Sequence, residues 1–135
     1  MLNLLLESER AGVVALDELA SEVEQDELRQ FLLGERAEEQ RNVDALSKLI
    51  REGGGTASGA VGPFAAKVAG LATVRERLSL MSHGQEWVAR KTEEAIALAP
   101  PEGPIMEFLK SMANRHRAEI EWGRAEVIRL LNADK

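Results

Sequence analysis

"REGGGTASGAVGP", residues 51–63, is the stretch on which the fold turns. Five glycines and a proline break the chain between two long helical patterns, so it reads as a loop. Upstream, apolar residues recur in steps of three and four. The first helix is predicted over 2–23, through Leu2, Leu5, Val13, Leu16, Ala20 and Val23. The second is predicted over 26–51, through Leu28, Leu32, Leu46 and Leu49, with Asp26 as its N-cap. Downstream, a third runs over 73–98 through Val74, Leu78, Met81, Val88 and Ala95. Thr73 and Glu76 stand at capping-box spacing there. "APPEGP", residues 99–104, is a stop and restart, and Pro104 opens a fourth helix over 104–131 through Ile105, Leu109, Met112, Val127 and Leu130.

Two of the three connections are short, which makes antiparallel neighbours. The connection over 53–72, with a brief helix from Phe64 to Leu71, is long enough to carry the chain back along the others. The second and third long helices then run parallel. The fold expected is all-α: one four-helix-bundle domain over 1–135 with a long crossover between helices two and three.

Composition agrees and excludes several functions. Aromatics are 4% of the chain, there is no Tyr, and strand-like alternation is missing. The net charge of −6, without a Lys/Arg-rich run, argues against nucleic acid and anionic lipid as partners. With no cysteine, there is neither a disulfide nor a thiolate ligand. "MLNLLLESER" lacks the basic start of a signal peptide, and no segment is apolar enough to span a membrane, so a cytoplasmic protein is expected. Phosphate-loop and serine-nucleophile motifs are missing.

Chemistry enters where the stripes break. Following each helix in steps of three and four, Glu9 lands inside on the first and Glu35, Glu39 and Asn42 on the second. Gln85 lands inside on the third, and His116 and Glu119 on the fourth. An unpaired buried carboxylate is costly. Four helices making the same exception at one depth therefore point to one shared polar layer. Converging carboxylates and an imidazole suit a transition metal. The plainer reading of the same set is a metal-free network that sets helix register. Arg41, Arg90 or Arg115 could reach in to neutralise an acid. Glu35 and Glu38 read as a solvated face, with Glu35 able to stand at the layer's edge, and His83 reads as a surface residue. Met81, Met106 and Met112 read as core.

The constellation resembles the ferritin-like superfamily. "LLLESERAGV" is similar to its first helix, with Glu9 at the ligand position, and "EEQRNVDALSKLI" to its second, with Glu39 at the ligand position. More narrowly, "LLESERAG", "EEQRN" and "GQEWVARK" resemble short bacterial ferritin-like domains without an established function. The resemblance implies a di-iron set of six ligands, of which Glu9, Glu39 and His116 match. Asn42 stands where a His is implied and Ala113 where a Glu is implied. Gln85 stands where another Glu is implied, unless the register shifts to Glu86.

The leading expectation is thus a structural or interaction module with a degenerate metal site rather than an enzyme. The alternative is a metal-binding oxidoreductase or storage protein, with iron or manganese held by Glu9, Glu39, His116 and Glu119 and with Asn42 and Gln85 as substituted positions. Trp87 and Trp122 lie off the stripes, and Leu80 and Trp87 form a second ridge on the third helix. Either Phe64, Val68 and Leu71 of the crossover cover that ridge, or it forms a homodimer face.

Overall fold

Helices form where the periodicity places them. The computed structural model describes residues 1–133, apart from the side chains at 130, 131 and 133. The predicted station Leu130 therefore lies outside the described side chains. Among the described residues there are five helices and no strand: α1 (Leu2–Glu22), α2 (Asp26–Glu52), α3 (Phe64–Ala69), α4 (Val74–Leu98) and α5 (Pro104–Ala133). Each differs from its predicted bounds by two residues or fewer, as frayed ends allow.

The caps explain two of the starts. Thr73 Oγ1 accepts the Glu76 backbone N–H at 3.1 Å, so α4 opens as its spacing predicts. The α2 start is different: Gln25 is the N-cap and Asp26 is the first helical residue, where its carboxylate pairs with Arg29 at 2.8 Å. An acid there also favours the positive helix end. Gly103, at φ +113°, lets the chain reverse into Pro104, a conformation a side chain would strain.

Direction follows from the core. One apolar cluster joins the end of α1 (Leu16, Leu19, Ala20) to the beginnings of α2 (Leu28, Leu32) and α4 (Leu78, Met81), with Val127 of α5 against it. The other joins the beginning of α1 (Leu5, Leu6) to the ends of α2 (Leu46, Ile50) and α4 (Ala95), and to Leu109 and Met112 of α5. So α1 and α5 point one way, and α2 and α4 the other. Among the described residues, α1 packs on α2 and α4, and α5 on α4 and α2. The diagonals α1/α5 and α2/α4 make no close backbone contact.

The crossover runs along α1. Arg10 donates to the Ser58 and Ala60 carbonyls at 2.8 and 2.9 Å, and Asn3 holds Thr56 and Ser58. α3 then packs on both α1 and α4, burying Ala65 and Val68. This third neighbour explains why α1 buries more than its predicted stripe: Leu6, Ala11, Ala15 and Leu19 are buried as well. Met81, Met106 and Met112 are buried, as predicted. No helix of the described residues is long and apolar enough to cross a membrane.

Candidate functional site

Between the two apolar clusters lies the polar layer. Glu9 is 1% exposed, Glu39 5% and His116 2%. His116 Nε2 lies 2.5 Å from Glu9 Oε1, a bond that reaches across the α1/α5 diagonal. On the other side of the ring, Nδ1 is 3.6 Å from Glu119 Oε2. Both contacts need the His116 side chain to occupy the centre. Helical spacing supplies this, since residues 112, 116, 119 and 123 share one face of α5.

Glu39 reaches the same centre because of a glycine. Its carboxylate lies directly against Gly12 of α1, and a β-carbon there would collide with Oε2 and stand 2.8 Å from Cδ. Gly123 does the same for Glu35, whose Oε1 would be 3.2 Å from an added β-carbon. Both glycines lie on the inward stripes, and each admits a carboxylate from α2.

The layer is rich in acid and poor in base. Burial, then the charges of Glu9, Glu35 and Glu119, hold the Glu39 carboxyl well above the usual carboxylate range. Burial and the Glu119 charge push Glu35 up to about 7, against a hydrogen bond from Gln85 and the His116 charge. Glu119 is also raised, by burial first; His116 pulls it back, while Glu9 and Glu38 push it further up. For His116, burial opposes the charged ring. The hydrogen bond and charge of Glu9, with the charge of Glu119, outweigh that and raise it above its ordinary value. Acid and imidazole protons are thus retained where cations are scarce.

The arginines stay at the rim. Arg115 donates to Asn42 Oδ1 at 3.1 Å and reaches Glu38 at 3.4 Å, and Arg41 also pairs with Glu38. Asn42 is thereby turned to a guanidinium. Arg90 is exposed.

The other candidates separate cleanly. Gln85 hydrogen-bonds Glu35, while Glu86 pairs with Arg124 of α5. The one-residue register shift toward Glu86 therefore does not bring that acid into the layer. His83 is exposed, as predicted. Glu35 stands with the layer, at its station on the inward stripe of α2, and not on the solvated face. Gly12 and Gly123, both on the traced stripes, were the signals for close approach.

Three polar atoms in this layer are buried without a hydrogen-bond partner among the described residues: Glu9 Oε2, Glu39 Oε2 and His116 Nδ1. Such atoms suit a cation. As the side chains stand, however, no three or more His, Cys, Asp or Glu among the described residues are grouped so as to hold a metal ion. Glu9 and His116 face each other rather than a common point.

Two hollows lead to the layer. One, of about 540 Å3, lies between α1, the crossover and α4, with Glu9, Glu39 and His116 among its lining. The other, of about 410 Å3, lies between the start of α4 and the end of α5 and reaches Glu35. Phe64 of α3 stacks its ring edge on Gly84, so the crossover covers part of the Leu80 ridge. It leaves Trp87 36% exposed and Trp122 79% exposed.

No curated protein and no solved structure matches this chain. Residues 1–126 do match one family model, described as Domain of unknown function (DUF6306), and the chain belongs to that family.

Proposed function

We propose that the chain is a ferritin-like four-helix bundle whose metal site is degenerate, and that it serves as a structural or interaction module. The polar layer acts as a clasp. Its Glu9–His116 bond and retained protons tie four helices at one level, and a register set this way disfavours sliding by a turn. The observation that carries the reading is Arg115 on Asn42. A permanent cation holds the position where the resemblance implies a histidine ligand, and so opposes a second positive charge beside it. Parallel α2 and α4 with a long crossover support the ferritin-like assignment.

The module would be cytoplasmic and would pair as a homodimer through the face carrying Trp122. An exposed Trp of this size suits an interface core. A monomer in sedimentation at micromolar concentration would remove the dimer.

The three orphaned atoms favour a second reading, in which Glu9, Glu39, His116 and Glu119 hold iron or manganese. The Glu9–His116 bond must open for an ion to enter. Bound there, the ion would supply activation of dioxygen or peroxide. Elemental analysis of protein purified without chelator, repeated after adding Fe(II) or Mn(II), separates the two. Less than stoichiometric metal in both samples is the result expected of the clasp. Stoichiometric metal that is lost in His116→Ala would overturn it in favour of the second reading.

A further inference from the structure

The larger hollow is not shaped for an ion alone. Its volume of about 540 Å3 far exceeds the share of one water, about 30 Å3 in the liquid. It falls in the range of small-molecule sites, roughly 300–1,000 Å3, which pair apolar walls with a few fixed polar groups. Here Leu4, Phe64, Leu80, Trp87 and Val88 are in the walls. Glu9 and Glu39 line the same space, and each is more than nine-tenths buried with its Oε2 unpartnered. Lys67 lines it too, but is an exposed residue.

An occupant must therefore bring a donor-rich cation to the two carboxylates and an apolar body to the walls. Metal ions lack the second feature, and neutral hydrocarbons lack the first. An ammonium group offers three N–H donors and no acceptor, and it can take the place of the proton that burial and the neighbouring acids make Glu39 retain, leaving Glu39 ionised beside it. Aromatic walls are compatible with a nearby cation as well as with its tail.

We propose that this cavity binds a small primary amine as its ammonium ion, with the charged head held by the Glu9 and Glu39 carboxyl groups once they turn toward it and an aliphatic or aryl tail along Phe64, Leu80, Trp87 and Val88. The proposal goes beyond the clasp role and does not rest on it.

The test is calorimetric titration of the full chain with n-hexylamine, 1-hexanol and hexanoate at neutral pH, with Trp fluorescence as a second signal. Saturable binding of one hexylamine is expected, with hexanol and hexanoate at least about tenfold weaker. Glu39→Gln keeps the side-chain shape and should weaken hexylamine by about tenfold or more while leaving hexanol unchanged. Leu4→Trp, at a half-exposed wall position, should weaken amine and alcohol together. Equal binding of amine and alcohol, undiminished amine binding in Glu39→Gln, or no saturable binding of hexylamine would each overturn the proposal. Metal content is a separate measurement, so the clasp reading stands or falls without this one.

Discussion

Replacing Glu35 by Gln should stabilise the protein increasingly as pH rises. In the fold the Glu35 carboxyl titrates at about 7 rather than 4.5, chiefly because burial penalises its charge. A raised value means the folded state binds the proton more tightly than the unfolded chain. Its contribution is then complete below the unfolded value of 4.5 and is lost as pH climbs to about 7. At about 1.4 kcal/mol per unit, the whole effect is about 3 kcal/mol, of which about 2.5 kcal/mol falls between pH 5 and pH 8. Gln is neutral at every pH, fills the same space beside Gly123, and can still hydrogen-bond Gln85. Glu39, Glu119 and His116 are also raised, so wild type and variant should both weaken with pH. The difference between them isolates Glu35. Urea unfolding followed by circular dichroism at pH 5, 6, 7 and 8 gives that difference. Thermal unfolding of the same samples should show it as roughly 8 °C in relative Tm across the series, for a chain of this size. A gap between variant and wild type that does not change with pH would refute the account of Glu35 as a proton-holding member of the layer.

Two further outcomes follow from packing. His116→Ala strips from Glu9 the one hydrogen-bond partner it has among the described residues, leaves its carboxyl buried, and should cost about 3–5 kcal/mol in urea unfolding at pH 7; a loss under about 1 kcal/mol would contradict the clasp. Gly12→Ala drives a methyl group into the Glu39 carboxylate and should destabilise by about 1–3 kcal/mol despite better helix propensity. Gly34→Ala, on the same kind of helix but with open space around it, should instead stabilise by up to about 1 kcal/mol. Thermal unfolding of the pair checks the sign, and a stabilising Gly12→Ala would show that Glu39 does not need that space.

Periodicity determined the helices and the depth at which each turns polar, and connection lengths their parallel or antiparallel sense. A buried stripe must repeat every three or four residues, and a connection's length limits where the next helix begins. Glu9, Glu39 and His116 were legible as a set for that reason, because each interrupts an otherwise apolar stripe. What the stripes could not convey is which neighbour each polar atom meets. Only the packed helices turn Asn42 to Arg115, bond Gln85 to Glu35 and send Glu86 to Arg124, since those choices depend on the rotation of one helix against another. The same holds for the glycines. Gly12 and Gly123 are helix-weakening residues in the sequence and become entry points for carboxylates only once α2 lies against them. The cavity over the layer also needed the crossover to lie along α1. A loop's composition allows that path without choosing it, whereas the bonds from Arg10 and Asn3 do choose it.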